Sequence, residues 1–357
     1  MIVLLAPIFK EKYFKQYNAL SIAANKWCNH LLKELISIDK CIVLYHINEP
    51  LFPKGKIYLS TDHYFKYSTP VYLLSYINVP TIRSHSLNRT YKAFIEKNLD
   101  ITHITHVITY NKQLSSIAKY LQQYGIKWSC IYADASTQNE LISDADFHIY
   151  LSYYAYKNSK FKNKFHFDGG IYNLKINKRL ISQKKIFLYS GAIRKENGVE
   201  LMIETFKQIN NSNIELWICG KGKFDGFDEK VKCDKRIKYY GLVSEKQLNT
   251  LYNQTFCFLN PRLTSNEENN YNFPSKLFDY FSYRKPIIST YTEGIAPFYK
   301  DYLLITEDSV DALKKTIEKV INWNETQLYD YSNKIKHFEE ENTWNKKVRQ
   351  LWNFIGH

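Results

Sequence analysis

The feature that most constrains the fold is an alternation, repeated twice, of short β-rich runs with longer amphipathic runs. In the first half, apolar runs of strand length occupy residues 2–9, 41–46 and 106–110, with helical periodicity between them. Continuous apolar strands separated by helices are typical of a parallel sheet covered on both faces. The same alternation begins again at residue 185. The sequence therefore predicts an α/β fold with two Rossmann-like, doubly wound domains.

The remaining predicted elements complete two βα arrays. Further strands are predicted over 57–60, 81–85, 128–132 and 147–152, and in the second half over 185–190, 214–219, 237–240, 256–260 and 286–290. Helices are predicted over 17–36, 113–124, 199–210, 248–252, 310–322, 333–355 and from residue 276 onward. Two such domains leave a cleft between the carboxyl ends of their sheets, where folds of this type bind ligands.

The domain boundary is predicted from a polar stretch over 173–183 that has the composition of a linker. It divides an N-terminal domain, 1–172, from a C-terminal domain, 173–335. A last helical segment over 336–357 carries Trp344 and Trp352, and we expect it to pack back on the first domain. A length of 357 residues accommodates about two domains.

Charge and apolar patterning restrict the class of protein. The chain has 49 Lys and Arg against 35 Asp and Glu, a net charge of +14, which attracts phosphate groups in any form. No apolar run approaches the roughly 20 residues that cross a bilayer, and the first residues lack a basic leader. The six cysteines include no C-x-x-C pair. We therefore expect a cytoplasmic protein with free thiols.

Two glycine-containing turns follow predicted strands in the second half. Gly191 ends the strand over 185–190 and is followed by Arg194 and Lys195, so backbone N–H groups and cations can converge on an anion such as a diphosphate. A Gly-Lys-Gly turn with Lys221 and Gly222 follows the next strand and offers close backbone approach. Each turn taken alone is also compatible with an ordinary surface loop.

A third segment contains Asn272-Phe-Pro-Ser-Lys-Leu-Phe-Asp-Tyr280. Pro274 fits the first turn of a helix, which puts Ser275 and Lys276 at its positive end and Asp279 one turn further along the same face. Lys276 could then hold a diphosphate, and the carboxylate of Asp279 could accept two hydroxyl hydrogen bonds from a ribose. The alternative is a capped helix with an incidental lysine.

In their order along residues 185–291, these segments resemble the C-terminal domain of family 4 retaining glycosyltransferases of the GT-B type, especially the branch that builds bacterial surface polysaccharides. The resemblance implies that Asp279 binds the nucleotide ribose and that the turn from Asn272 to Lys276 meets the donor phosphates and sugar. Many members carry a second acidic residue eight positions before the ribose ligand, where this chain has Tyr271.

The resemblance also implies an activity and a role for each domain. The N-terminal domain would bind the acceptor and the C-terminal domain would bind a nucleotide sugar. A UDP-sugar is favoured over a GDP-sugar as the donor, and no cofactor or metal is expected. A hexosyl group would pass, with retention, to a hydroxyl of a glycan or lipid-linked glycan in cell-surface polysaccharide synthesis. Arg194, Lys195 and Lys276 would stabilise the leaving diphosphate. His85, at the end of the strand predicted over 81–85, resembles the histidine of the catalytic cleft.

Three other hypotheses remain open at this stage. The chain could be a non-catalytic GT-B subunit that binds glycan or a partner transferase. Aromatic residues are interleaved with lysines over 153–166 and could lie on an anionic bilayer, which would make the protein peripheral at the inner face of the cell membrane. The same aromatic residues could instead stack on single-stranded nucleic acid. Nothing in the second half requires nucleic acid, so we predict none as a partner. Asp144 and Asp146 match a D-x-D metal motif, which we interpret as a chance occurrence.

Overall fold

The computed structural model describes residues 1–17, 19–133, 144–172 and 184–356. The chain divides into two compact units. The first unit comprises residues 1–151, 156–169 and 347–357, and the second comprises 152–155 and 170–346. The linker predicted over 173–183 lies outside the described residues. None of the helices in the described ranges is both long and apolar enough to cross a membrane.

Strands and helices alternate along both units. The strands are β1 Ile2–Leu5, β2 Cys41–Tyr45, β3 Tyr58–Leu59, β4 Asp62–Lys66, β5 Thr69–Leu73, β6 Tyr76–Ile77, β7 His106–Tyr110, β8 Lys127–Tyr132, β9 Phe147–Tyr150, β10 Lys164–His166, β11 Lys185–Ser190, β12 Ile214–Cys219, β13 Ile237–Gly241, β14 Cys257–Asn260, β15 Ile287–Ser289 and β16 Leu304–Ile305. The helices are α1 Glu11–Gln16, α2 Ile22–Leu35, α3 Arg83–Asn98, α4 Ser115–Gln122, α5 Tyr153–Asn158, α6 Val199–Gln208, α7 Phe227–Lys232, α8 Glu245–Gln254, α9 Lys276–Phe281, α10 Val310–Ile321, α11 Glu325–Glu341 and α12 Trp344–Ile355.

The first unit is built on an eight-stranded sheet in the order β10-β9-β8-β7-β1-β2-β5-β4. Every neighbouring pair is parallel except β4 and β5, which form an antiparallel hairpin at one edge. The strand order reverses between β1 and β7, so connections run in both directions from the centre. Because both faces are covered, all residues of β1, β2 and β7 are buried.

The second unit is built on six parallel strands in the order β13-β12-β11-β14-β15-β16. Renumbered from β11, this is the Rossmann order 3-2-1-4-5-6, whose switch point lies between β11 and β14. The apolar faces of α6 and α10 pack on the sheet, where Ile203, Phe206 and Ile317 are fully buried. The two sheets confirm the predicted α/β fold with two doubly wound units.

Helix starts follow local sequence signals. Ser244 and Asn324 precede α8 and α11, and each forms a reciprocal capping box with the glutamine three residues later. Such a pair satisfies backbone N–H groups that have no partner within the helix. Helices α2 and α10 begin after Ser21 and Ser309, whose hydroxyls accept from the backbone N–H three residues on.

The strand predicted over residues 81–85 is wrong. Thr81 and Ile82 lie in a turn, and α3 begins at Arg83. The β-branched residues before Arg83 favoured a strand, whereas the burial of Tyr91 and Ile95, four residues apart on α3, follows helical spacing. The hairpin of β4 and β5 was also not predicted. Its turn, Tyr67-Ser68, takes positive φ at both residues without the Asn-Gly signal of tight hairpins.

Helix α12 brings the C-terminal residues to the first unit. Lys347 Nζ lies 3.5 Å from Oδ1 of Asp168, whose side chain is fully buried. The ring of Trp352 lies 5.4 Å from that of His106 on β7. These contacts connect residues 347–357 to strands that are formed by the first half of the chain.

Candidate functional site

The turns after β11 and β12 are held against each other by backbone contacts at the carboxyl ends of these strands. The N–H of Gly191 donates to the carbonyl of Cys219, and the N–H of Ile193 donates to that of Lys221, both at 2.9 Å. Gly220 has φ +141°, and a Cβ on it would lie 1.8 Å from the carbonyl oxygen of Gly191. Only glycine permits this approach, which is why the sequence places glycines in both turns.

The turn after β14 joins the same group of loops. The N–H of Leu263 donates to the carbonyl of Glu196 at 3.0 Å, and the side-chain amide of Asn269 donates to the same carbonyl at 3.1 Å. Gly198, with φ +75°, packs so closely on Pro261 that a Cβ would lie 1.7 Å from the Pro261 carbonyl oxygen. The loops on both sides of the switch point therefore form one connected surface.

Lys276, the first residue of α9, reaches this surface. Its Nζ lies 3.8 Å from the centre of the Tyr189 ring, and a Cβ on Gly191 would lie 3.0 Å from the same atom. Among the described residues no carboxylate lies within ion-pair distance of Lys276. Burial, followed by the charge of Arg262, holds the pKa of Lys276 well below its usual range. The site therefore contains a desolvated cation that lacks an anionic partner in the described part of the chain.

Two arginines act on the same part of the site. Burial raises the pKa of Tyr189, and the charges of Arg262 and Arg194 oppose that rise. Arg262 also donates to the side-chain oxygen of Asn272. Arg262 comes directly after β14 and Arg194 follows β11, so the cations come from both sides of the switch point. Such an arrangement favours a multiply charged anion, of which a diphosphate is one example.

Asp279 lies half-buried on α9, beside a group of buried tyrosines. Tyr252 and Tyr280 hydrogen-bond through their hydroxyls to the Ser190 side chain, at the last residue of β11. Burial raises the pKa of both tyrosines, and the charge of Asp279 adds to the rise. This polar network fixes α9 against the end of β11 and thus sets the position of both Lys276 and Asp279 relative to that strand end.

The other predicted donor-site residues each have contacts of their own. Lys195 forms an ion pair with Glu200 at 3.1 Å, and its Nζ lies 5.6 Å from the centre of the Phe224 ring. Lys221 is exposed, and its backbone carbonyl accepts from the N–H of Ile193. Asn272 is held by Arg262 and by donation from its amide to the carbonyl of Glu268. Ser275 stands at the N-cap of α9 without a side-chain capping bond in the described structure, and Gly222 packs against Ile193.

Arg262 was missing from the predicted set although its sequence signal was present. The Asn-Pro-Arg stretch follows an apolar strand, and the carboxyl end of a strand next to the switch point is where a parallel sheet binds ligands. Proline cannot continue the ladder, so Arg262 is the first side chain that can turn over the end of the sheet.

His85 does not occupy the position that was predicted for it. It lies exposed on α3 in the first unit, because the segment from Arg83 onward is helical. The histidine that does follow a strand end in that unit is His46, directly after β2. It is buried, its Nδ1 lies 3.0 Å from the hydroxyl of Tyr91, and burial lowers its pKa to about 3. His46 is therefore neutral near pH 7.

The carboxylates of Asp144 and Asp146 are engaged by neighbouring groups. Asp144 pairs with Lys119 at 2.8 Å, and Asp146 accepts from the backbone N–H of Trp128 at 2.7 Å. Over the described ranges, no group of three or more His, Cys, Asp or Glu side chains is arranged as a metal site.

The aromatic and lysine segment over 153–166 is partly packed. Lys164 donates to the carbonyls of Tyr156 and Ser159 at 3.0 and 2.8 Å, at the end of α5. Phe161 stacks on His148 with ring centres 3.7 Å apart. These residues therefore contribute to the packing of the first unit.

The second unit is thus a doubly wound α/β domain whose switch point carries a cationic, glycine-lined crevice, the class of domain that binds phosphate-bearing ligands. Residues 173–337 match the family model described as "Glycosyl transferases group 1". No curated protein sequence matches the chain.

Similar solved structures extend over nearly the whole chain. Sucrose-phosphate synthase from Thermosynechococcus elongatus has a TM-score of 0.67 at 13% identity, covering 99% of this chain and 98% of that one. The lipopolysaccharide outer core galactosyltransferase WaaB in its apo form has 0.62 at 13%, covering 99% of both chains. The UDP-forming α,α-trehalose-phosphate synthase from Burkholderia xenovorans has 0.72 at 8%, covering 100% and 99%. At these identities the likeness shows the fold, which is of the GT-B type.

Proposed function

We propose that this chain is a retaining glycosyltransferase that moves a hexosyl group from a nucleoside diphosphate sugar to a hydroxyl of a glycan or lipid-linked glycan in cell-surface polysaccharide synthesis. The observation that carries the proposal is the Lys276 ammonium, held against Tyr189 beside Arg262 at the switch point of the second unit. A diphosphate would supply the anionic partner that this desolvated cation lacks among the described residues.

Two further observations support the donor class. The glycine turns at Gly191 and Gly220 leave backbone surface without side chains at the strand ends, so a ligand can approach closely. The "UDP-forming" synthase and a second similar structure, titled as bound with UDP-2-fluoro glucose, point to UDP as the nucleotide to test first. The galactosyltransferase WaaB, from lipopolysaccharide synthesis, supports a glycan acceptor.

In this proposal the chain's residues act on the charge that develops as the donor bond breaks. The bond from the anomeric carbon to the diphosphate oxygen breaks while a bond to the acceptor oxygen forms on the same face, and the acceptor proton passes to the leaving phosphate. Lys276, Arg262 and Arg194 stabilise the negative charge of the leaving diphosphate. Asp279 binds the ribose hydroxyls. Since three cations meet the diphosphate, we expect no requirement for a divalent ion, and no step depends on His85.

The test is a calorimetric titration with UDP, GDP and CMP, each with and without EDTA, on the wild type, Lys276→Met and Asp279→Asn. We expect tightest binding of UDP, unchanged by EDTA and strongly weakened in both variants. Lys315→Met on α10, an exposed lysine outside the site, is the matched control and should bind UDP like the wild type.

Catalysis is tested separately by following UDP release from UDP-sugars in the presence of glycan acceptors and by determining the anomeric configuration of the product by NMR. A product of inverted configuration would refute the retaining mechanism. Nucleotide binding without any turnover would favour the alternative of a non-catalytic GT-B subunit, and absence of nucleotide binding would refute the proposed donor site.

A further inference from the structure

The first unit carries a group of exposed apolar side chains, here called the apolar platform, that the proposed reaction does not use. Its members come from residues 50–61 and 76–89 and are 40–58% exposed. They are Leu51, Phe52, Ile57, Tyr58, Ile77 and Ile82. Large apolar side chains exposed singly are ordinary, whereas a contiguous set marks a binding surface.

Backbone pairing places two of these residues, Tyr58 and Ile77, side by side. Strands β3 and β6 form an antiparallel pair in which Tyr58 lies opposite Ile77 and Leu59 opposite Tyr76. Leu59 and Tyr76 point inward and are 1% exposed, so the alternation of the strands directs Tyr58 and Ile77 outward. A strand that covers a core normally presents polar residues on its outer face. This two-stranded sheet is apolar on both faces.

The platform is held in a fixed shape by Asn78, which is fully buried. Its side-chain amide donates to the carbonyls of Pro50 and Lys56 at 2.8 and 2.9 Å. Its backbone N–H donates to the carbonyl of Ile57 at 2.7 Å, and its carbonyl accepts from the N–H of Phe52 at 3.1 Å. The exposed apolar residues therefore stand on a hydrogen-bonded support.

Cations surround the platform. Residues 49–62 and 76–89 contain Lys54, Lys56, Arg83 and Arg89 against two carboxylates. Of these, Asp62 is engaged by the Tyr13 hydroxyl and by Lys10, and Glu49 lies beside Gly55. Lys54 and Lys56 are exposed in the same loop as Leu51 and Phe52. The Arg83 guanidinium lies over the ring of Tyr76 and donates to the carbonyl of Glu49 at 3.1 Å, which places its charge at the base of the platform.

We propose that the apolar platform binds the surface of an anionic lipid bilayer. Leu51, Phe52, Ile57 and Ile77 would enter the boundary between headgroups and acyl chains, and Lys54 and Lys56 would contact lipid phosphates. The aliphatic majority among the platform residues argues against a sugar or a nucleic-acid base, since both are bound by flat aromatic faces. The excess of cations over carboxylates in both segments and their flanking residues favours an anionic partner. This inference does not depend on donor binding, which involves the second unit.

The test measures partitioning of the full-length protein onto sonicated vesicles by co-sedimentation. Vesicles of phosphatidylcholine alone are compared with vesicles that also contain phosphatidylglycerol, at low and high salt. We expect binding to the phosphatidylglycerol vesicles and much weaker binding to phosphatidylcholine. Phe52→Ser/Ile77→Ser should lower the partition coefficient by about 30-fold, as expected for the loss of two half-inserted apolar side chains. Lys54→Gln/Lys56→Gln should lower it by about tenfold at low salt and less at high salt.

Matched controls lie in the second unit. Ile305→Ser/Tyr329→Ser removes two exposed apolar residues, and Lys315→Gln/Lys319→Gln removes two exposed charges. Both should partition like the wild type. Circular dichroism and UDP titration of the platform variants show whether they fold and whether donor binding is intact, so failure of this proposal is distinguishable from failure of the proposed function.

Three outcomes would overturn the proposal. The first is equal partitioning of Phe52→Ser/Ile77→Ser and the wild type. The second is binding that does not depend on phosphatidylglycerol. The third is absence of vesicle binding together with a dimer, detected by sedimentation velocity, that Phe52→Ser/Ile77→Ser dissociates, since the platform would then serve a second copy of the chain.

Discussion

Replacement of Lys276 by methionine tests the candidate site most directly, because it removes the charge while keeping an unbranched apolar stem against Tyr189. A hydrogen bond to a charged group contributes about 1.5–3 kcal/mol. We therefore expect Lys276→Met to raise the Kd for UDP by roughly 10- to 150-fold. Lys195→Met should change it less than about threefold, because Lys195 is already paired with Glu200 at 3.1 Å. Isothermal titration calorimetry measures both.

The same residue predicts a pH dependence with a definite sign. Burial and Arg262 lower the pKa of Lys276, and a bound diphosphate would raise it again because an opposite charge favours the protonated form. UDP binding should therefore take up a proton above the pKa of the free protein, and affinity should fall as the pH rises, by at most about tenfold per pH unit. Titrations in buffers of different ionisation enthalpy, repeated over a series of alkaline pH values, measure this uptake.

Two results would refute this reasoning. One is a larger loss of UDP affinity in Lys195→Met than in Lys276→Met. The other is proton uptake that persists undiminished in Lys276→Met, since the titrating group would then be another residue.

Three further predictions concern stability and are measured by denaturant unfolding. Gly220→Ala should lower the free energy of unfolding by roughly 2–4 kcal/mol, because the new Cβ would lie 1.8 Å from a backbone oxygen. Gly125→Ala is the control: Gly125 has φ +80° and no atom within 4 Å of the added Cβ, so the loss should be only about 1 kcal/mol. Equal losses in the two variants would contradict the close approach at Gly220. His46 has a pKa of about 3 in the folded state, below that of an unfolded histidine, so it should lower stability by up to about 1.4 kcal/mol per pH unit as the pH falls from about 6.5 toward 3. His46→Gln should flatten this slope, and an unchanged slope would refute the assignment. Lys347→Met should lower the free energy of unfolding by about 3 kcal/mol, because it leaves the buried carboxylate of Asp168 without this cation. A decrease below about 1 kcal/mol would show that the ion pair contributes little to stability.

The fold was predictable wherever one strand or helix carried one periodic signal. The strand over 214–219 and the start of α9 at Lys276 were placed correctly, because a continuous apolar run and a Pro-Ser-Lys helix start are local signals. The segment over 81–85 was predicted incorrectly as a strand. Its β-branched residues favour a strand locally, whereas the helix that begins at Arg83 is stabilised by buried residues further along, such as Tyr91 and Ile95. Tertiary packing decided this segment against its local propensity.

The candidate site was predictable in its loops and less so in its contacts. The glycine turns and Lys276 could be read from the sequence, because turn glycines and a lysine at a helix start have positional meaning. The pairing of Lys195 with Glu200 could not be predicted, since the sequence alone does not show whether Arg194 or Lys195 of this loop faces the ligand. The Asn-Pro-Arg signal of Arg262 was present in the sequence, and the strand order, which places β14 next to β11, shows that it lies at the switch point.

The return of α12 to the first unit has a consequence for synthesis of the chain. Residues 347–357 leave the ribosome only after the whole second unit, so the first unit must wait for them with part of its surface uncovered. Until then Phe147 lacks its contact with Phe354, and Asp168 lacks Lys347. A fragment that ends at residue 172 would keep this surface exposed permanently. The second unit, in contrast, is complete at residue 346, before the last segment of the first unit has been made, so the half of the chain that is made later can fold first.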